Sequence, residues 1–221
     1  MRTPMQKRNL INSYLDKVLE ANKTTNLTRI SSLKEARVLH LEDSLVGLPE
    51  LQQAPKGLYG DLGTGGGFPG VPLAIETGRE TILVDSVQKK MSIVENILKE
   101  IDLTESISTY AGRIEDLSRD YPEKFAVLTA RALAKLSVLM ELASPLLEKG
   151  GFLICYKANV QDDEWNHALS LQKKLGMELI SDRHICLSDG QTQRRIICFK
   201  KISRATITLP RRMGLAQKKP L

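Results

Sequence analysis

Two acidic residues close two short apolar runs of this chain, and a glycine-rich segment follows the first of them. Asp61 lies near the end of the run that starts at Leu58, and Asp85 closes the run 81–85. Glycine lets the backbone approach a ligand closely, and a carboxylate at the end of the next strand accepts hydrogen bonds from ribose hydroxyls. The pattern therefore predicts an α/β protein that binds an adenosine-containing cofactor.

Two cofactors compete for this segment, because NAD and S-adenosylmethionine both contain that ribose. From Gly65 the chain satisfies Gly-x-Gly-x-x-Gly, and Asp85 follows at the distance of a dinucleotide fingerprint. However, Asp61 would repel a pyrophosphate, whereas it can meet the ammonium group of methionine. Pro69 and Pro72 also remove N–H groups that an anion site needs. These features favour S-adenosylmethionine, with an NAD-dependent oxidoreductase as the alternative.

Composition indicates one ordinary α/β domain with additions. The chain has 221 residues, of which 42% are hydrophobic and 26% charged. No apolar stretch approaches the roughly 18 residues that cross a bilayer, so we expect a cytoplasmic protein. Cys155, Cys186 and Cys198 lie in apolar runs without metal-ligand spacing, and we expect buried strand thiols and no metal site.

Charge is distributed unevenly along the chain. The net charge is +6, yet the part after Asp189 has nine basic residues and no acidic one. This asymmetry is consistent with a contact to a polyanion such as RNA. A solvated tail is an equally acceptable interpretation. Pro210, Gly214 and Pro220 argue against a packed element in it.

Periodicity predicts helices before the first strand. Apolar spacing indicates an amphipathic helix from about Leu10 to Asn22, and a capping-box pattern in residues 31–35 indicates a second helix that ends near Val46. Residues 49–57 are predicted to be a linker. We therefore expect an N-terminal helical extension.

From residue 57 onward, predicted strands alternate with predicted helices. The expected strands are 57–62, 80–85, 106–110, 125–130, 152–157, 178–187 and 194–201. A helix is predicted over 135–147, ended by Gly150 and Gly151, and only a short turn is predicted at Gly112. Alternation indicates a doubly wound, mostly parallel seven-stranded sheet, and the last two strands form an antiparallel hairpin at its edge.

Six motifs carry a family resemblance. They are Asn26-Leu-Thr, His40-Leu-Glu-Asp-Ser-Leu, Asp61-Leu-Gly-Thr-Gly-Gly-Gly-Phe-Pro-Gly, Leu83-Val-Asp-Ser, Gly112-Arg-Ile-Glu and Thr129-Ala-Arg-Ala. The motifs come in the order found in ribosomal RNA small-subunit methyltransferase G, also called glucose-inhibited division protein B. The chain therefore resembles this family. The resemblance runs from about residue 10 to the terminal Lys-Lys-Pro-Leu. Two positions depart from it, since Gly66 and Ala130 stand where the family often has proline and serine.

The resemblance implies a class I S-adenosylmethionine-dependent methyltransferase fold with an N-terminal helical extension. It implies methylation of N7 of a guanine in the 530 loop of bacterial 16S rRNA, with 16S rRNA or the small ribosomal subunit as partner. On this basis we divide the chain into the extension (1–56), a methyltransferase domain (57–203) and a basic C-terminal tail (204–221). We expect a monomer that does not associate with membranes.

The resemblance also implies a set of cofactor residues. They are Gly63, Phe68, Ile114, Glu115 and Arg131, to which the strand-end argument adds Gly65 and Asp85. Glu115 could instead be an ordinary surface carboxylate. Arg131 could instead pair with a neighbouring carboxylate.

Substrate contacts follow the family pattern and the basic tail. The candidates are Asn26, His40, Lys157, Arg194, Arg211 and Arg212. Asn26 can instead close a turn, His40 can be structural, and Lys157 can be a solvated lysine. Arg194 can be an ordinary exposed strand residue.

The expected reaction needs alignment more than proton removal. Guanine N7 has a free lone pair, so in-line transfer of a methyl group requires no obligatory general base, and no catalytic side chain is assigned. A non-enzymatic RNA-binding module is a further alternative.

Overall fold

The computed structural model describes residues 2–221 and has a seven-stranded sheet at its centre. The strands are β1 (Leu58–Leu62), β2 (Thr81–Asp85), β3 (Ile107–Ala111), β4 (Phe125–Arg131), β5 (Leu147–Lys157), β6 (Met177–Cys186) and β7 (Gln193–Lys201). Their order is β3-β2-β1-β4-β5-β7-β6. β1 to β5 are parallel, whereas β7 is antiparallel to both of its neighbours. The predicted mostly parallel sheet with an antiparallel edge hairpin is confirmed.

Helices cover both faces of this sheet. They are α1 (Pro4–Thr25), α2 (Leu33–Ala36), a π-helical segment (Arg37–Glu42), α3 (Asp43–Leu45), α4 (Leu48–Gln53), α5 (Gly70–Thr77), α6 (Gln88–Glu100), α7 (Ile114–Asp120), α8 (Leu136–Ala143), α9 (Asp162–Ser170), α10 (Gln172–Leu175) and α11 (Leu215–Lys218). We call the continuous helical run 33–45 the entrance helix. Within residues 2–221, each helix is too short or too polar to cross a bilayer.

The strand order reverses between β1 and β4. In a doubly wound sheet this reversal opens a crevice at the carboxyl ends of the strands, because the connecting helices diverge to opposite faces. The glycine-rich segment leaves β1 at this edge, while Asp85, Arg131 and Lys157 are the last residues of their strands. The topology therefore brings several of the predicted site residues to one edge.

The N-terminal helices pack directly on the glycine-rich segment. Ile11, Tyr14 and Val18 of α1 are buried with residues of α5 and α6 in one apolar cluster. The Tyr14 hydroxyl donates to the Gly66 carbonyl over 2.9 Å. Thr3 caps α1 through a capping box, and Ser32 caps the entrance helix as predicted. The N-terminal extension thus supports the glycine-rich segment from one side.

The structure differs from the predictions at α8 and at α4. The helix predicted over 135–147 ends at Ala143, because Leu147 already pairs with Phe125 in the sheet. Gly150, with a φ of +94°, then forms an irregularity in β5 instead of ending a helix. The predicted linker 49–57 contains α4, whose second residue is Pro49 and whose Leu51 is fully buried. Proline at this position is compatible with a helix start.

Two further segments are more ordered than the sequence indicates. The turn at Gly112 leads into α7, which the prediction lacks. The basic tail packs on the domain through α11, whose Ala216 is buried. The expectation that Pro210 and Gly214 exclude a packed element was wrong, because they only bound a single helical turn.

Candidate functional site

The loop that follows β1, residues 63–70, is held in place by the buried carboxylate of Asp61. Its Oδ2 atom accepts from the Thr64 hydroxyl over 2.6 Å and from the Gly70 amide over 2.9 Å. Its Oδ1 atom accepts from the Thr129 hydroxyl over 2.7 Å. Burial raises the pKa of Asp61 to about 6. Asp61 is 0% exposed, so the expectation that it meets a cofactor ammonium was wrong; it shapes the loop.

Asp85 links the same loop to the next strand. One carboxylate oxygen accepts from the Gly65 amide over 3.0 Å, and the other accepts from the Val87 amide over 2.9 Å. Each carboxylate oxygen has a second lone pair, and Asp85 is half-buried at the strand end. The residue can therefore hold the loop and still accept hydrogen bonds from a ligand's hydroxyls.

Gly65 is the point of the loop that leaves room for a ligand. Its φ is +59°, and beyond its chain neighbours no atom of the described chain lies within 4 Å of where a Cβ would stand. Gly63 has a φ of +70°, but a Cβ there would stand 2.7 Å from Leu133. The open cradle at Gly65, with Asp85 beside it, fits an adenosine-containing cofactor.

Phe68 belongs to the packed side of the loop. Its ring is buried, makes an edge contact with Tyr14 at 5.6 Å between centroids, and stacks on His40 at 4.4 Å. The ring therefore joins the loop to α1 and to the entrance helix. Phe68 was expected to line the cofactor site, but its side chain serves packing.

A cavity of about 600 Å³ opens beside the loop, at the ends of β4 and β5. Its polar lining consists of His40, Asp43, Arg131, Lys157, Asn159 and Arg194, and apolar side chains such as Leu39 and Leu139 complete it. Three of the predicted substrate residues, His40, Lys157 and Arg194, therefore meet here. Asn26 is not among the residues that line the cavity. It ends α1 in the left-handed conformation.

Asp43 of the entrance helix organises the charges of this cavity. Its carboxylate accepts from Nη1 of Arg131 over 2.7 Å and from Nε of Arg194 over 2.7 Å. Arg131 also donates to the Leu39 carbonyl over 3.0 Å. Two arginines share one buried carboxylate, so the trio has a net charge of +1 and ties β4 and β7 to the entrance helix. From the sequence, a neighbouring carboxylate was considered as the partner of Arg131, and Asp43 is that partner.

His40 is buried at the junction of cavity and loop. It is 6% exposed, and its Nε2 atom lies 2.9 Å from the Thr28 hydroxyl. Burial, followed by the positive charge of Arg131, lowers the pKa of His40 to about 4. The ring is therefore neutral near pH 7. Its Nδ1 atom is buried without a hydrogen-bond partner among residues 2–221.

Lys157 closes the other side of the cavity. Its ammonium lies 2.8 Å from Glu164 of α9 and 3.2 Å from the Ala134 carbonyl to which it donates. Glu164 in turn accepts from the Leu136 amide over 2.9 Å. Lys157 is therefore held in place rather than freely solvated.

The two remaining cofactor candidates face the C-terminal segment. Ile114 and Glu115 begin α7, and the Glu115 carboxylate accepts from the Gly214 amide over 2.7 Å. Glu115 is 8% exposed, so its alternative as a surface carboxylate was wrong. Arg211 forms a bidentate pair with buried Glu141 at 2.7 and 2.6 Å, which ties it to α8, whereas Arg212 is exposed.

Sequence reasoning did not assign Asp43, Thr28, Asn159 or Glu164 to this site. Asp43 and Thr28 lie within the quoted His40 and Asn26 motifs, so their positions could have been noted, whereas nothing local marks Asn159 or Glu164. Cys186, expected to be buried, is exposed at the end of the edge strand β6. Within residues 2–221, no three His, Cys, Asp or Glu side chains come together as metal ligands would.

Comparison with solved structures gives the fold. An O-methyltransferase from Bacillus cereus in complex with SAH aligns with a TM-score of 0.60 and 17% identity, over 86% of this chain and 91% of that one. A geranyl diphosphate methyltransferase in complex with SAM aligns with a TM-score of 0.59 and 11% identity, over 73% and 85%. The class I methyltransferase fold is thereby confirmed.

Comparison with sequences gives the family. The family model of rRNA small subunit methyltransferase G, GidB, matches residues 7–196. The Ribosomal RNA small subunit methyltransferase G of Desulfitobacterium hafniense is 38% identical over 94% of this chain and 87% of its own length. The protein of the same name from Fervidobacterium nodosum is 32% identical over 98% and 100%. The chain belongs to the rRNA small subunit methyltransferase G family.

Proposed function

We propose that this protein is an S-adenosylmethionine-dependent methyltransferase that modifies N7 of a guanine in the 530 loop of 16S rRNA. The observation that supports it most is the adjacency of two spaces at one sheet edge. The open cradle at Gly65 and Asp85 lies at the ends of β1 and β2, and the cavity of about 600 Å³ lies at the ends of β4 and β5. β1 and β4 are neighbours, so a donor and an acceptor molecule would meet.

The cradle supplies the cofactor contacts. Asp85 accepts the ribose hydroxyls, Gly63 and Gly65 allow close backbone approach, and Ile114 with Glu115 flanks the adenine ring. Phe68 and Asp61 act indirectly, because they fix the loop that carries the glycines. When bound, S-adenosylmethionine supplies a methyl group on a positively charged sulfur.

The cavity holds the target nucleotide. Its volume is within the range of small-molecule sites, and its apolar walls suit a flat purine. The Arg131–Asp43–Arg194 trio retains one net positive charge for a phosphate. Lys157, on the opposite side, is neutralised by Glu164, so it adds a fixed hydrogen-bond donor and no second net positive charge. Asn26, which lies outside the cavity, and exposed Arg212 remain candidates for contacts with more distant parts of the RNA.

The side chains agree with a reaction that needs no base. Guanine N7 is methylated through its lone pair, so no proton leaves the ring in the transfer. The depressed pKa of His40 keeps this ring neutral near pH 7, and a neutral ring does not repel the cationic 7-methylguanine product. Its role is to support the cavity wall through its contacts with Thr28 and Phe68.

Methylation of defined RNA by the purified full-length protein tests the function. Small ribosomal subunits and naked 16S rRNA from cells that lack this protein are incubated with S-adenosylmethionine carrying a labelled methyl group. Nuclease digestion and mass spectrometry should show labelled 7-methylguanosine in a 530-loop fragment from at least one substrate. Unlabelled RNA in both arms, with a protein that is folded by circular dichroism, would reject the assignment.

A matched pair of variants connects the reaction to the site. Asp85→Asn, at the cofactor cradle, should raise the dissociation constant for S-adenosylhomocysteine. Arg194→Ala, at the cavity, should leave that constant unchanged and lower methylation of RNA. Equal effects of both variants on cofactor binding would contradict the division into two spaces.

A further inference from the structure

The last 18 residues, 204–221, form a segment that we call the C-terminal strap. After β7, the Thr206 amide donates to the Lys174 carbonyl over 2.9 Å, and Ile207, Leu209 and Leu221 pack on the main apolar cluster. At its end, the Leu221 carbonyl lies 2.5 Å from Nε2 of His167. The strap is therefore attached to the domain near both of its ends.

In its middle, the strap joins two helices through two buried carboxylates. Arg211 pairs with Glu141 of α8, which is 3% exposed, and the Gly214 amide binds Glu115 at the start of α7. Ala216 packs on Val138 and Leu142 of α8. The remaining space between strap and helices is about 10 Å³, too small for more than about one water molecule.

These two helices border the two parts of the site, α7 the cradle and α8 the cavity. α7 follows β3, and the Gly112 amide just before it donates to the Asp85 carbonyl over 3.1 Å. α8 follows β4 and contributes Leu139 to the cavity. A strap that fixes α7 against α8 therefore also fixes the positions of residues 112–115 relative to Asp85.

We propose that the C-terminal strap is a positioning element for cofactor binding, in which Arg211 and Gly214 hold the start of α7 at the adenine side of the cradle. The inference rests on the proposed function for the identity of the cofactor. It replaces the simpler interpretation of Arg211 as an RNA contact, and it leaves exposed Arg212 as a candidate for one.

Charge pairing supports this replacement. Of the nine basic residues after Asp189, four form ion pairs with carboxylates of the preceding chain: Arg194 with Asp43, Arg195 with Asp182, Arg204 with Glu123, and Arg211 with Glu141. Lys201 is buried against Ser144. Four of the nine basic residues are therefore engaged by carboxylates of the fold, and within the strap Arg211 is paired with a buried one.

Calorimetric titration of the full-length protein with S-adenosylhomocysteine tests the proposal. Arg211→Ala should weaken binding about tenfold, since it leaves buried Glu141 unpaired and frees the strap. Arg211→Lys should recover part of the affinity, because lysine keeps the charge but not the bidentate geometry. Arg204→Ala is the matched control; it removes an exposed strap–carboxylate pair and should change the affinity less than about twofold.

Hydrogen exchange of the ligand-free protein gives an independent readout. Arg211→Ala should speed exchange at the amides of residues 112–117, whereas Arg204→Ala should not. Arg212→Ala, at the exposed neighbour, should lower the salt dependence of RNA binding by about one unit of slope and leave cofactor affinity unchanged.

The outcomes separate the two proposals. Wild-type protein that binds S-adenosylhomocysteine, together with a folded Arg211→Ala variant of equal affinity, overturns the positioning role while the proposed function stands. Weakened RNA binding with normal cofactor affinity in Arg211→Ala overturns it as well. Wild-type protein that does not bind S-adenosylhomocysteine rejects the proposed function and the inference with it.

Discussion

The glycine-rich loop and the C-terminal strap both lie at the cofactor edge, but their supporting contacts differ in sequence separation. Asp61 binds the Gly70 amide nine residues away, and Asp85 binds Gly65 over twenty residues. Arg211 and Glu141 are 70 residues apart, and Gly214 and Glu115 are 99 apart. Local contacts produce a motif that can be read from the sequence. Distant contacts leave only isolated charges, which resemble a solvated tail.

The largest expected effect concerns the loop. Asp61→Ala leaves the Thr64 and Thr129 hydroxyls and the Gly70 amide without their acceptor in a dry environment, and should lower the free energy of unfolding by about 3 kcal/mol. Urea denaturation at pH 7 measures this. Asp61→Asn, which keeps a carbonyl oxygen, is the control and should lose less. A loss below about 1 kcal/mol for the alanine variant would show that the loop does not depend on this carboxylate.

The junction between loop and entrance helix should depend on pH. The pKa of His40 is about 4 when folded and 6.5 ordinarily, so the unfolded chain takes up the proton first. The stability that neutral His40 contributes is therefore complete above pH 6.5 and is lost as the pH falls towards 4. Between pH 7 and pH 4, wild type should lose about 3 kcal/mol more stability than His40→Phe, which keeps the ring packing. Equal losses would contradict a buried neutral histidine.

The open cradle predicts a variant that affects binding more than folding. Gly65→Ala places a methyl group in the space left for the ligand, and should weaken S-adenosylhomocysteine binding about tenfold, while the positive φ costs about 1 kcal/mol of stability. Gly78→Ala has a similar φ of +69° and open space away from the cradle. It should show the stability loss alone, and weakened binding in both variants would count against the cradle.

The smallest expected effect lies in the strap. Arg204 is 83% exposed where it pairs with Glu123, and exposed pairs contribute little because water screens them. Arg204→Ala should leave the free energy of unfolding nearly unchanged, whereas Arg211→Ala should cost more than about 1 kcal/mol. Chemical denaturation of both variants checks the contrast. Similar losses would mean that burial does not distinguish the two pairs.

The contrast between local and distant contacts also explains which parts of the structure could be predicted from the sequence. The strands alternate with helices, so the number of strands and their positions along the chain followed from apolar runs and glycines. α7 was missed because Ile114 and Leu117 are its only strongly apolar signals. Within the site, Asp85 and Gly65 followed from spacing. The pairing of Asp43 with Arg194 joins residues 151 apart, and only the folded sheet brings them together.

The central claim is that the cradle formed by Gly65 and Asp85 holds the cofactor next to the charged cavity. A crystal structure of the protein with S-adenosylhomocysteine tests this most directly. We predict density across the ends of β1 and β2, with the ribose hydroxyls on Asp85 and the base beside Ile114. An empty cradle, or density at another edge of the sheet, would contradict the account.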